Sequence, residues 1–330
     1  MLNTTTEPTI DTSGLTAKSL DYWEMIFERK GVVMLRGKAG IAKSATCQFI
    51  ADNVIYNGKP LRYVDLRLSQ MDETHFGFPY RKMSEKFGFE VMDFALPKFF
   101  EDAMTEPVLI NFEELNRCSQ DVQNAALELL NERTLHGRKL PDHVFMVATG
   151  NMGEEDGCHV QQFDNALVNR LILIDYTLPY EEWCADFANK NVINYVVDFL
   201  AENTTTHYYS QRAYLESNEG KPFASARSWT NLSEPLLLLD NNLSEIMSFV
   251  KEDGQSYVGD FSANAFYEWM KDLQNITLAK IKDGTLHTKY IQKEILVKRL
   301  SEIKKSKLNL KDMTEQEQAN VNALFEKYKI

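Results

Sequence analysis

Residues 32–44 read VVMLRGKAGIAKS and decide the fold. The first four, Val32 to Leu35, form a short apolar run bounded by glycines, which is typical of a strand buried on both faces of a parallel sheet. A glycine-containing loop follows directly, and a helical pattern begins at its end, at Lys43 and Ser44. This order predicts a phosphate-binding loop, because backbone N–H groups and a helix N-terminus together favour an anion.

We therefore expect this loop to bind the phosphates of a nucleotide. Its residues are Gly37, Lys38, Ala39, Gly40, Ile41, Ala42, Lys43 and Ser44. In such loops the lysine reaches the outer phosphates and the next hydroxyl binds Mg²⁺, which are the roles we predict for Lys43 and Ser44. Ala42 stands where the motif usually has its second glycine. Its methyl group is the smallest possible intrusion, so we expect binding to be retained.

A second apolar run, at 108–112, ends in two acidic residues, Glu113 and Glu114. A P-loop enzyme needs such a pair at the carboxyl end of a neighbouring strand. There Glu113 would hold Mg²⁺, and Glu114 would polarise the attacking water as general base. Aspartate is usual at the first position. Because Glu113 is one methylene longer, a nucleotide-gated scaffold with little hydrolysis remains an alternative.

Strand and helix patterns alternate along the first half of the chain. Further apolar runs predict strands at 61–68, 144–149 and 171–174. Helical spacing predicts helices over 15–30, 43–56 and 119–131. This alternation indicates an α/β core with a parallel sheet flanked by helices. After Pro179 the pattern is helical only, which predicts an all-helical second domain.

Several short segments follow one another in a characteristic order between residues 20 and 270. They are DLRLSQ at 65–70, ELNR at 114–117, VQNAAL at 122–127, ATGN at 148–151, LVNR at 167–170 and ASARSW at 224–229. Together with the phosphate-binding loop and the acidic pair, they resemble the AAA+ ATPases, specifically the MoxR-like branch.

The resemblance implies roles for three further residues. Asn151 resembles the sensor that orients the lytic water and the γ-phosphate, although an asparagine that caps a loop is the simpler alternative. Arg170 resembles an arginine finger that serves a neighbouring subunit's nucleotide, and an intramolecular ion pair is its alternative. Arg227 resembles the second sensor, on a helix for which Ser225 is the predicted N-cap.

The resemblance also implies an organisation and a function. We expect a flexible tail at 1–14, an AAA+ core at 15–178, a helical lid at 179–275 and a basic helical extension at 276–330. ATP and Mg²⁺ would bind between core and lid in a homo-oligomeric ring, a hexamer in this family. Hydrolysis would remodel a protein partner, for which a von Willebrand factor A-type protein is a candidate.

Three segments leave alternatives open. Residues 72–80, with Phe76, Phe78 and Tyr80, form either part of a central-pore loop or an aromatic packing layer, and 133–143 resembles a hairpin before the sensor strand. The basic stretch 280–311 predicts an amphipathic helix that packs on the lid, although a nucleic-acid motor or loader remains the alternative function.

Arg117 is also open to two interpretations: it is either a subunit-boundary residue or the ion-pair partner of Glu113 or Glu114.

Composition and charge argue against several other classes of protein. The net charge of −12 argues against a chain that coats nucleic acid over its whole surface. The four cysteines lack the short spacing of a zinc or redox motif, and the adjacent Cys158 and His159 are too few for a metal site. No apolar run approaches bilayer length and the first residues lack the features of a secretory signal, so we expect a cytoplasmic protein with no membrane contact.

Overall fold

A central parallel sheet organises the first part of the chain in the computed structural model. Among the described residues it has five strands, in which every neighbouring pair is parallel. Their spatial order is β11 (Leu171–Asp175), β1 (Val32–Arg36), β10 (Val144–Gly150), β7 (Val108–Glu113) and β4 (Arg62–Arg67). Strands β1, β10 and β7 are almost wholly buried, as their apolar runs predict, whereas β4 at the edge of the sheet carries Arg62, Asp65 and Arg67.

The structure describes residues 19–153, 160, 161, 163, 165–209, 220–284, 286, 293–305 and 313–330. The chain divides into two compact units, and the division falls after Leu178. The predicted tail at 1–14 and the pair Cys158 and His159 lie outside the described residues.

Helices and short hairpins connect the strands of the first unit. The helices are α1 (Leu20–Glu28), α2 (Lys43–Asn53), α3 (Lys98–Thr105), α4 (Gln120–Glu132) and α5 (Asn165–Val168). The hairpins pair β2 (Ile55–Tyr56) with β3 (Lys59–Pro60), β5 (Phe78–Met83) with β6 (Glu90–Ala95), and β8 (Thr134–Leu135) with β9 (Arg138–Lys139). Short 3₁₀ turns occupy Leu68–Gln70 and Glu73–Phe76. Helix α2 ends before Tyr56, contrary to the sequence prediction, because the chain turns back through Asn57 and Gly58, both with positive φ.

The sheet carries helices on both faces because its strand residues alternate in direction. On one face, Ile110 and Met146 lie in a buried cluster with residues of α3 and α4, such as Phe99 and Val122. On the other, the ring centroid of Phe145 lies 5.0 Å from that of Phe27 in α1. The α/β core that the alternating pattern predicts is therefore confirmed.

The described residues of the second unit form helices joined by turns and loops. Its helices are α6 (Tyr180–Trp183), α7 (Asn189–Asn191), α8 (Asn194–Asn203), α9 (Ala226–Leu237), α10 (Leu243–Asp253), α11 (Gln255–Val258), α12 (Asp260–Asn275), α13 (Leu278–Lys282), α14 (Lys293–Lys305) and α15 (Glu315–Tyr328). Two π-helical segments, Cys184–Ala188 and Thr204–Tyr208, complete it. None of the helices in the described ranges is long and apolar enough to cross a bilayer.

Helix α14 carries part of the basic stretch. Its apolar residues Leu296, Leu300 and Ile303 are buried, and Lys298 pairs with Asp198 of α8. This is the packed amphipathic helix that the sequence predicts.

Candidate active site

The predicted phosphate-binding loop connects β1 to α2 at the carboxyl edge of the sheet. The Lys43 ammonium donates to the carbonyl oxygens of Gly37 at 2.6 Å and Lys38 at 2.8 Å, and to Asn151 Oδ1 at 3.2 Å. Ligands of open α/β sheets bind at this edge, outside the carboxyl ends of the strands. The Lys43 side chain therefore spans the loop and reaches Asn151, which follows the end of β10.

The backbone of this loop explains two of its small residues. Gly37 packs so closely that a Cβ atom would lie 2.5 Å from the carbonyl oxygen of Tyr176. Ala42 is left-handed, with φ 63° and ψ 27°, which is a conformation that glycine adopts without strain. The alanine at this position therefore stores backbone strain at the start of α2 and adds only a methyl group to the loop.

Ser44 and Glu113 meet although 68 residues separate them. The Ser44 hydroxyl donates a hydrogen bond to Glu113 Oε1, because α2 begins beside the end of β7. Burial raises the pKa of Glu113, and the nearby Asp65 carboxylate raises it further, whereas the Ser44 hydrogen bond lowers it. A divalent cation at this position would favour the charged carboxylate. A hydroxyl and a carboxylate are also oxygen donors of the kind that Mg²⁺ prefers, so the side chains fit the predicted metal.

Glu114 has an unusual backbone and a charged neighbour. Its φ is 58°, in the left-handed region. Its carboxylate accepts a hydrogen bond from Arg117 at 2.8 Å, and Arg117 is partly exposed. Of the alternatives that the sequence left open for Arg117, the structure therefore shows the ion pair with Glu114.

Asn151 directly follows β10, which lies between β1 and β7 in the sheet. Asn116 holds it in place: its amide donates to the Asn151 carbonyl at 2.7 Å and accepts from the Asn151 N–H at 3.1 Å. The contact requires Gly150, where a Cβ atom would lie 2.6 Å from Asn116 Oδ1. Sequence reasoning assigned no role to Asn116. Its place in the ELNR segment is the signal that could have drawn attention to it.

The two predicted arginines lie elsewhere. Arg170 is exposed and immediately precedes β11. Because Leu171 pairs with Val32 at the start of β1, the length of that strand, about 13 Å, separates Arg170 from the phosphate-binding loop. Arg227 is exposed in the first turn of α9, in the second unit. Ser225 caps this helix as predicted, because its Oγ accepts from Ser228 N–H at 3.2 Å.

The aromatic residues at 72–80 lie in two different environments. Phe76 is 1% exposed and packs in the core, whereas Phe78 and Tyr80 are 62% and 42% exposed on β5. Residues 133–143 contain the predicted hairpin, whose turn is made by His136 and Gly137. This hairpin contacts the β5–β6 hairpin, because His136 stacks on Phe94 with ring centroids 3.8 Å apart.

Residues 32–171 match the family model of the AAA domain (dynein-related subfamily). Among solved structures, the chain is similar to NtrX from Brucella abortus in complex with ATP, at 12% identity and a TM-score of 0.39, over 94% of this chain and 68% of that one. It is also similar to closed-state Hsp104 with ATPγS and casein, at 13% identity and a TM-score of 0.38, over 68% and 42% of the two chains. These structural similarities are too low to carry an argument about activity. No curated protein matches the chain.

The match supports the AAA+ prediction for residues 32–171. The five-stranded core, followed by a helical region, is the predicted AAA+ fold. The MoxR-like assignment stays a prediction.

Proposed function

We propose that this chain, whose residues 32–171 form an AAA domain, binds ATP with Mg²⁺ and hydrolyses it to remodel a protein partner. One observation carries the proposal. Lys43, Ser44, Glu113 and Asn151 follow three neighbouring strands and meet in two pairs at one edge of the sheet, Lys43 with Asn151 and Ser44 with Glu113. Phosphoryl transfer depends mainly on such positioning of charge and hydrogen-bond groups.

The contacts suggest a separate role for each of these residues. Lys43 would exchange its carbonyl acceptors for phosphate oxygens, and Ser44 and Glu113 would hold Mg²⁺, which neutralises phosphate charge when bound. Glu114 would accept a proton from the attacking water, which Asn151 would orient. Residues 37–42 would supply the remaining phosphate contacts through their backbone.

Two substitutions separate binding from hydrolysis. Lys43→Ala should abolish nucleotide binding, because it removes the charge held over the loop. Glu114→Gln should bind ATP normally and lose turnover, because its carboxylate acts only on water. Lys59→Ala is the control, since Lys59 is an exposed lysine in the β2–β3 hairpin of the same unit. Equal ATP affinity in Lys43→Ala and the unmodified protein would refute the proposed site. Tight binding without hydrolysis in the unmodified protein would favour the scaffold alternative.

We propose further that Arg170 completes a neighbouring subunit's site within a ring. Its distance from its own loop favours this role over one in its own subunit. Arg170→Ala and Lys43→Ala proteins should each be nearly inactive, because loss of such a finger costs about 10³-fold or more. Mixed together they should regain activity, since some sites would then combine an intact Lys43 with an intact Arg170. If mixed rings form without any rescue, Arg170 does not act between subunits.

The exposed β5–β6 hairpin supports a polypeptide partner in this proposal. Four of its charged residues pair within the hairpin, Lys82 with Asp93 and Arg81 with Glu90, and Asp93 also pairs with Arg138 of β9. Six of its large apolar side chains are exposed: Phe78, Tyr80, Met83, Phe87, Phe89 and Met92. A neutral surface of this kind suits an apolar polypeptide better than nucleic acid.

The Glu114→Gln protein provides the test for a partner. It should retain a bound protein in ATP, and Phe87→Ser with Met92→Ser should reduce that binding without changing ATP affinity. Leu238→Ser, which removes a residue 81% exposed in the second unit, is the control. Equal loss in the hairpin variant and the control would contradict a role for the hairpin. A von Willebrand factor A-type partner and a cytoplasmic location stay predictions from the family resemblance.

A further inference from the structure

A buried amide interrupts the apolar sequence of β7. Asn111 is fully buried between Ile110 and Phe112, and burying an amide is costly unless it is hydrogen-bonded. Its Nδ2 donates to Tyr63 Oη at 2.9 Å and to Asp65 Oδ1 at 3.1 Å, both on β4. Its Oδ1 has no hydrogen-bond partner among the described residues. The amide therefore acts on β4, where it fixes Asp65.

Asp65 in turn holds an arginine beside the predicted metal ligand. The other oxygen of Asp65, Oδ2, accepts from Arg67 Nε at 3.2 Å. The same Nε lies 3.4 Å from Glu113 Oε2. Arg67 and Glu113 are direct partners in the parallel register of β4 and β7. The two oxygens of Glu113 therefore face different groups, Oε1 the Ser44 hydroxyl and Oε2 the Arg67 guanidinium.

We propose that Arg67 competes with the divalent cation for Glu113, and that Asp65 is the positioning residue that retains Arg67 when the cation binds. The inference rests on the proposed Mg²⁺ site and assigns two residues to it that the family resemblance does not. Arg67 is 63% exposed and can move at little cost, whereas Asp65 is 24% exposed and anchored by Asn111.

The competition follows from charge. A guanidinium beside Glu113 compensates the carboxylate, but it repels a dication at the same oxygens. Asp65 offers Arg67 a second carboxylate two residues earlier on the same strand. Transfer of Arg67 to Asp65 alone would leave both oxygens of Glu113 to the cation and keep the guanidinium paired.

The test measures Mn²⁺ affinity by electron paramagnetic resonance, with ATPγS bound, so that it does not depend on turnover. Arg67→Gln should raise the affinity by about two- to fivefold, the scale of a partly exposed charge pair, and Arg67→Lys should return it toward the original value. Asp65→Asn should lower it. If Asp65 acts through Arg67, this loss should be smaller in the Arg67→Gln background.

Asp102→Asn is the matched control. It removes one of the two carboxylate partners of Arg62, 2.9 Å away, at the opposite end of β4 from Glu113, and leaves Glu106 as the other. It should leave Mn²⁺ affinity unchanged, and thermal unfolding should show that every variant is folded.

The outcomes separate this inference from the proposed function. An equal loss of affinity from Asp65→Asn with and without Arg67→Gln, or weaker Mn²⁺ binding in Arg67→Gln alone, would overturn the inference while the metal site stands. Failure of the unmodified protein to bind Mn²⁺ with nucleotide would overturn both.

Discussion

Replacement of Ala42 by glycine should stabilise the first unit, although it removes a methyl group. The left-handed backbone at this position, with φ 63° and ψ 27°, costs a residue with a Cβ atom about 1–2 kcal/mol. Glycine avoids this cost but gains freedom in the unfolded chain, which destabilises the fold by about 0.5–1 kcal/mol. We therefore expect the free energy of unfolding to rise by about 0.7 kcal/mol.

Ala45 provides a control with the same chemistry. It is an exposed residue in the first turn of α2, three positions further along. Ala45→Gly adds the same freedom to the unfolded chain but relieves no strain, so it should lower the free energy of unfolding by about 0.8–1 kcal/mol. The difference between the two variants, about 1–2 kcal/mol, measures the strain at position 42 alone.

Urea unfolding followed by circular dichroism would measure both variants. A difference of 1 kcal/mol corresponds to about 2–4 °C in melting temperature for a unit of this size, so calorimetry is an independent check. Nucleotide affinity should not fall in Ala42→Gly, because glycine is the usual residue of such loops. Equal destabilisation by both substitutions would show that Ala42 carries no strain and would refute the reasoning.

Two further predictions concern buried polar groups. Asn116→Leu should leave the N–H and carbonyl of Asn151 without their hydrogen bonds, which costs about 1–3 kcal/mol for each group. Turnover should fall more than ATP affinity, and unchanged turnover would argue against a role for Asn151. In the second unit, burial lowers the pKa of His207 below its ordinary value of 6.5, so below that pH the unfolded chain binds a proton that the folded unit does not. The melting temperature of the second unit should therefore fall from pH 7 to pH 5, and His207→Asn should reduce this dependence on pH. A rise in the melting temperature over the same range would contradict the assignment.

Local sequence predicted the parts of the site that are continuous in the chain. The loop at 37–44 and the acidic pair after β7 each follow an apolar run whose length and composition indicate a buried strand. The N-cap Ser225 was equally readable, because capping depends on the residues of a single turn. The end of α2 was misplaced by three residues because the hairpin at 55–60 competes with the helix.

Contacts across the sheet were not readable in this way. Asn116 hydrogen-bonds to the backbone of Asn151 at a separation of 35 residues, and Asp65 accepts a hydrogen bond from Asn111 at a separation of 46. Both contacts depend on which strands are neighbours and on their register, and neither is encoded in a local pattern. Asn111 illustrates the limit: in sequence it is one polar residue within an apolar strand, and only its partners on β4 explain it.

The chain's own pattern of apolar runs, glycines and charges was sufficient for the α/β class, the phosphate-binding loop and the helical second half, because each depends on interactions within a few residues. The strand order β11-β1-β10-β7-β4 placed Lys43, Ser44, Glu113 and Asn151 at one edge and Arg170 at the other. The same folding brought Arg67 beside Glu113 and left the β5–β6 hairpin exposed. These features arise from long-range packing, in which residues far apart in sequence become neighbours only when the whole sheet has formed.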